Sequence, residues 1–237
     1  MNLLRYADRP DLRARRSLAA EVFPAFMSFN EMAPRYWARL YTDFPRFQQV
    51  LVDGDEIVAE AFALPIPWNG TVEGLPSGWD PAFELGMETE LEPTALSMVV
   101  INVDPARQGE RLGGLMLDAS RDAARAAGLA AVVAPVRPTW KERYPLIPIE
   151  RYMTWRRPDG SHFDPWLRLH ERVGGELLAA APDSMTIDAP VSDWEEWTGM
   201  RFPDDGDYVV SGMLDPLRVR DGRGRHVEPN VWVLHRL

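Results

Sequence analysis

Val103-Asp104-Pro105-Ala106-Arg107-Gln108-Gly109-Glu110-Arg111-Leu112-Gly113-Gly114 joins an apolar run to a helical pattern through a glycine-bearing turn. The run before it, from Ala95 to Val103, is rich in β-branched and apolar residues, which predicts a buried strand over 95–103. After it Leu112, Leu115, Met116, Ala119, Ala123 and Ala126 recur at helical spacing, with Gly128 as a C-cap. A helix entered through glycines aims several free backbone N–H groups at one point. With the helix dipole they favour an anion such as a pyrophosphate.

Upstream, residues 10–26 read as a first helix that turns Leu12, Ala19, Val22, Phe23 and Phe26 to one side. Asn30 caps a second, which carries Tyr36, Trp37, Leu40, Tyr41 and Phe44 inward. Runs at 48–53 and 56–64 make a hairpin around Asp53-Gly54. Residues 65–93, rich in Pro, Gly and Trp, read as an ordered loop, either a lid over an acceptor site or an inert insertion. Downstream, 129–136 reads as another strand and 137–163 as a long connection. The aromatic residues of that connection line a channel or cover core. From residue 176 apolar runs alternate with turns: 176–180, 208–210 and 231–234 read as strands and 221–224 as a turn.

The 237 residues are enough for one domain with a full core. A net charge of −10 argues against nucleic acid or an anionic membrane as the main partner. Without cysteine there are no disulfides, thiolate metal sites or cysteine nucleophiles. The four histidines, His162, His170, His226 and His235, lack metal-ligand spacing, so no metal is expected. The N-terminus has no signal-peptide core, and no apolar run approaches the roughly 20 residues that span a bilayer, so the expected location is the cytoplasm.

The strand, loop and helix resemble the signature of the GNAT superfamily of acyl-CoA transferases, Gln/Arg-x-x-Gly-x-Gly/Ala after a strand ending Val-x-Pro. Val103, Pro105, Gln108 and Gly113 match it. The middle glycine of the pattern is Arg111 here, which loses backbone freedom and gains a cation. Arg111 therefore either reaches the CoA phosphates or marks a loop where the cofactor sits differently or not at all. The order helix, helix, strand, strand, signature strand, signature helix, strand is also that of the superfamily. The resemblance implies an α/β (α+β) fold, with a mixed, mostly antiparallel central sheet flanked by helices and interrupted by long insertions. It implies acetyl-CoA or another acyl-CoA as co-substrate. The pantetheine arm would lie along Ile101, Asn102 and Val103, and the pyrophosphate against Gln108, Gly109, Glu110, Arg111, Leu112, Gly113 and Gly114.

The segment from Asp164 to Gly175 reads as a helix with an Asp cap, Pro in its first turn and glycines past its end. Trp166, Leu169, His170 and Val173 share one side of it. It resembles the GNAT helix whose tyrosine is the acid toward the departing thiolate, with His170 in the tyrosine's place. The bland alternative is a buried neutral histidine held by a carbonyl. The segment is also similar to the GNAT-like domains of polyketide loading modules, which pair such a histidine with a threonine, here Thr139; Met185 stands where those domains carry an arginine. Three functions follow: direct transfer of acetyl to an amine on a small molecule or protein; acyl transfer to a carrier-protein thiol, with or without decarboxylation; and non-catalytic acyl-CoA binding. A homodimer through edge strands or long connections fits any of them.

Overall fold

The computed structural model describes residues 1–15 and 18–237. Among these, nine strands form one sheet: β1 (Asn2–Arg5), β2 (Gln49–Asp53), β3 (Glu56–Ile66), β4 (Ala95–Val103), β5 (Ala131–Val136), β6 (Glu176–Pro190), β7 (Gly206–Tyr208), β8 (Leu217–Arg220) and β9 (Arg223–Arg236). Their order is β1-β2-β3-β4-β5-β9-β8-β7, with β6 also paired to β9. Every pairing is antiparallel except β4 with β5. The helices are α1 (Ala19–Val22), α2 (Met32–Asp43), α3 (Trp79–Glu88), α4 (Leu112–Ala126), α5 (Ile149–Tyr152), α6 (Pro165–Arg172) and α7 (Val191–Thr198). This is the mixed, mostly antiparallel sheet flanked by helices that the resemblance implied.

Both faces of the sheet are covered. On one, Tyr36 and Leu40 of α2 and Ala82, Phe83 and Met87 of α3 pack on Val50, Phe62, Leu64, Val133 and Trp232. On the other, Leu112, Met116 and Ala124 of α4, Ile149 and Tyr152 of α5 and Leu167 of α6 pack on Leu51, Ala61, Leu96, Val132 and Val233. A third cluster, built on Phe26, Trp194, Phe202 and Met213, seals the α7-to-β8 excursion. Alternate residues along each strand serve opposite faces, so one run of sequence feeds two cores.

Several expectations are corrected. The helix over 10–26 is interrupted: short 3-10 turns at Pro10–Ala14 and Ala25–Phe29 flank α1, and residues 16 and 17 lie outside the described residues. Pro24 forces Phe23 to extended geometry (φ −108, ψ 151), which ends α1. Residues 65–93 are not loop throughout, because α3 forms where Ala82, Phe83, Gly86 and Met87 recur at helical spacing. In α4 the buried side includes Leu117 and Ala124, whereas Leu115 and Ala126 are exposed. At 208–210 the strand is instead Gly206–Tyr208, with Val209 exposed, and α7 forms within a region read as strands and turns. Tyr152 is wholly buried, and Tyr144, Trp155 and Phe163 pack around it, so these aromatics of the 137–163 connection cover core. No helix among the described residues is long and apolar enough to cross a membrane.

Candidate active site

Strands β4 and β5 pair only over Ala95–Ser97 and Ala131–Val133; beyond these residues they separate. Two local features suit this opening. Pro135 has no N–H to donate, and it stands in the part of β5 that has no β4 partner. On β4, Phe62 pairs with Val100 and Ala63 with Met98, so Val99 is an extra, bulged residue at the point of separation. The Asp104 amide donates to the Val58 carbonyl at 3.0 Å. The alternation of an antiparallel pair then turns the peptide groups of Ile101 and Val103 away from β3, toward the gap. The side chain of Asn102 points elsewhere: it is fully buried, and its Nδ2 donates to Glu60 Oε1 at 2.8 Å.

At the end of β4, Asp104 caps a 3-10 turn by accepting from the Ala106 amide at 2.8 Å. Gly109 (φ +91) and Arg111 (φ +63) both take left-handed backbone, and the chain enters α4 through them. The first helical bond runs from the Leu115 amide to the Arg111 carbonyl, which leaves the amides of Leu112, Gly113 and Gly114 as the open first turn. Arg107 is committed to Glu110 and Asp53. The Arg111 side chain is exposed, with no ion pair among the described residues. Gln108, Gly109 and Glu110 are exposed beside it, whereas Leu112 and Gly113 are buried. A Cβ on Gly113 would lie 2.9 Å from Trp166, so glycine there lets α6 pack directly on α4.

Helix α6 is capped by Asp164, whose Oδ1 accepts from the Trp166 and Leu167 amides. Its Oδ2 takes the Tyr152 hydroxyl and the Trp140 amide, tying the 137–163 connection to the helix start. His170 is buried beneath α6, with Nδ1 2.9 Å from Nε2 of His235 on β9. His170 Nε2 and His235 Nδ1 have no partner among the described residues. Burial, and then the neighbouring imidazole, push His170 down to about 3; burial and nearby Arg121 push His235 down to about 4. Both rings are therefore neutral at pH 7. Thr139 is exposed, and no hydrogen bond joins it to His170. His235 was not anticipated, because nothing local in the sequence marks a strand histidine 65 positions away as a partner.

Two carboxylates, Glu60 buried and Asp80 half-buried, lie on the α2 and α3 side of the sheet. Glu60 accepts from Tyr6 Oη and Asn102 Nδ2, and burial raises its pKa. Asp80 accepts from the Asn30 side chain and the Thr186 amide, and burial pushes it up to about 6. Ahead of β4, Glu88 pairs with Arg39 and Glu92 is exposed. Beyond the end of β5 a cavity of about 340 Å³ opens between the 145–150 segment, the irregular part of β6 at Pro182 and Asp183, and Val227 and Pro229 of β9. Four carboxylates, Glu150, Asp183, Asp207 and Asp215, and one cation, Arg218, line it. Asp207 and Asp215 pair with Arg220 and Arg218; Glu150 and Asp183 have no cationic partner among the described residues.

No protein-family model matches the chain. It is 30% identical to the arginine N-acetyltransferase avaD of Aspergillus versicolor over 91% of this chain and 86% of that one. Among solved structures it superposes on the loading GNATL domain of CurA from Lyngbya majuscula with a TM-score of 0.60, at 19% identity, covering 99% of this chain and 96% of that one. It superposes on the GphF GNAT-like decarboxylase in complex with isobutyryl-CoA with a TM-score of 0.53, at 20% identity, covering 100% and 99%. The fold agrees along the whole chain, and the sequence likeness to an acetyltransferase spans nearly all of it. With a parallel strand pair that splays beside a bulge and a helix entered through left-handed residues, the chain belongs to the GNAT superfamily as an acyl-CoA-dependent N-acetyltransferase.

Proposed function

We propose that the chain acetylates the α-amine of a small cationic acceptor of the arginine type, using acetyl-CoA and direct attack of the amine on the thioester. The cavity beyond β5 carries this reading, because its one lining cation, Arg218, is taken by Asp215, and two of its carboxylates, Glu150 and Asp183, have no ion-pair partner among the described residues. The name of the avaD relative points the same way. A guanidinium stays protonated at every working pH and is no nucleophile, so the carboxylates hold that end while the α-amine attacks. In this reading Ile101 and Val103 donate to the pantetheine arm as a neighbouring strand would, and the amides of 112–114 with the Arg111 guanidinium hold the pyrophosphate.

His170 takes a different part from that of the superfamily's tyrosine. A neutral imidazole pushed down to about 3 carries no proton to release at pH 7, but it can donate a hydrogen bond. The contact of His170 Nδ1 with His235 Nε2 holds α6 on β9, and His170 Nε2 is enclosed in the protein without a partner among the described residues. Thr139, exposed and unbonded to His170, has no step here.

The test is an acceptor panel with acetyl-CoA: arginine, its uncharged analogue citrulline, ornithine and lysine. Arginine should exceed citrulline in kcat/KM by at least about tenfold, the worth of one well-placed charge pair. Glu150→Gln with Asp183→Asn should erase that preference without lowering acetyl-CoA affinity. Equal use of citrulline and arginine by the wild type would overturn the acceptor assignment.

A further inference from the structure

Trp79 connects β6 to β4. Its amide donates to Ser184 Oγ on β6 at 2.8 Å, and the preceding Gly78 lies so close that a Cβ would sit 2.1 Å from the Ser184 Cα. Asp80, next in sequence, accepts from the Thr186 amide on β6 and from Asn30 Nδ2, just ahead of α2. The first turn of α3 is thus fixed at three points. From this mount the indole reaches β4, where Nε1 donates to the Val99 carbonyl at 2.7 Å. Val99 is the bulged residue at which β4 and β5 have parted. Phe83, one turn along α3, braces the ring edge-to-face at 5.1 Å.

We infer that Trp79 is the end wall of the acyl subsite and restricts this enzyme to short acyl groups; the inference rests on acyl-CoA lying in the gap as proposed above. An arm held by the Ile101 and Val103 amides brings the thioester to the end of the open edge, which is Val99. The acyl group then faces the indole. Because α3 is fixed to β6 and to Asn30, the ring cannot swing away without breaking its bond to Val99 and its contact with Phe83. An acetyl group ends before the ring, whereas each further methylene must displace it. One methylene against a fitted apolar wall discriminates by roughly 10- to 200-fold.

The experiment is calorimetric titration of the full chain with acetyl-, butyryl- and hexanoyl-CoA, for the wild type, Trp79→Ala and Trp79→Phe. Binding is read without an acceptor, so the acceptor assignment does not enter. The wild type should bind acetyl-CoA at least about tenfold more tightly than hexanoyl-CoA. Trp79→Ala should bring the two affinities within about threefold, hexanoyl-CoA gaining relative to acetyl-CoA. Trp79→Phe keeps a ring against Phe83 but loses the N–H and part of the ring's reach; it should fall between, and it carries the test if the alanine variant does not fold. A hexanoyl-to-acetyl ratio that neither substitution changes would overturn the wall. A wild type that binds none of the three would overturn the acyl-CoA site, and the wall with it.

Discussion

Helix α4 opens outward: Gly109 and Arg111 enter it in left-handed backbone, its first amides are uncommitted, and the Arg111 guanidinium stands in solvent. Helix α6 lies against it through Gly113 and Trp166 and closes inward, turning His170 onto His235. The two have equally well-marked ends. They differ in which atoms matter, since in the proposed site α4 acts through its backbone, which any sequence with the right turn presents. What α6 contributes depends on one side chain and hence on what β9 places beneath it. An exposed imidazole titrates near neutrality, whereas burial beneath α6 and the neighbouring His235 push His170 well below that range.

The contrast is tested most strongly by acid. His170 and His235, at about 3 and about 4 in the folded protein, lie below the ordinary imidazole value near 6.5. Between pH 6.5 and those values the unfolded chain takes up protons that the folded chain does not, so this pair lowers stability as pH falls through that window and has no effect above pH 7. The slope is at most about 1.4 kcal/mol per pH unit per imidazole. Asp80, pushed up to about 6, works in the opposite sense between pH 6 and 3.8. Denaturation midpoints are therefore compared between the wild type and the double variant His170→Phe, His235→Leu. The wild type should lose stability more steeply below pH 6.5, and parallel curves would mean that the pair is not held neutral.

The contact between the two helices is the next target. Gly113→Val places a branched side chain where Trp166 already lies, and overpacking of this kind costs about 1–3 kcal/mol. Chemical denaturation should show that loss, together with weakened acetyl-CoA binding, because the first turn of α4 must shift. Unchanged stability would mean that α6 does not depend on glycine at this place.

Arg111→Gly is expected to have the smallest effect on stability, and one that divides by region. Relief of left-handed backbone should stabilise the fold by up to about 1 kcal/mol. Loss of the cation should weaken acetyl-CoA binding by about fivefold and flatten its salt dependence. Higher stability with unchanged affinity would show that the guanidinium does not reach the phosphates.

Much of this arrangement was legible in the sequence because local chemistry specifies it. The β4 strand, the α4 helix, the β2/β3 hairpin and the Asp164 cap rest on periodicity, turn residues and capping within a few positions. The site was legible where it is backbone and obscure where it is side chain. The Val99 bulge, the His235 partner and the reach of Trp79 to β4 arise from residues 20 to 65 positions apart. Helix α3 had a usable signal in Ala82, Phe83, Gly86 and Met87, hidden by the Pro- and Trp-rich residues around it. Lys141, the single lysine of the chain, is fully buried with its ammonium on the Tyr144 and Leu214 carbonyls, a placement that no local pattern announces.

Backbone hydrogen exchange with and without acetyl-CoA tests the central claim most directly, because that claim concerns amides. Binding should slow exchange at Ile101, Val103 and residues 109–114, leaving the buried α6 segment around His170 unchanged. Protection that avoids both the β4 edge and the α4 entrance, or none at saturating acetyl-CoA, would contradict it.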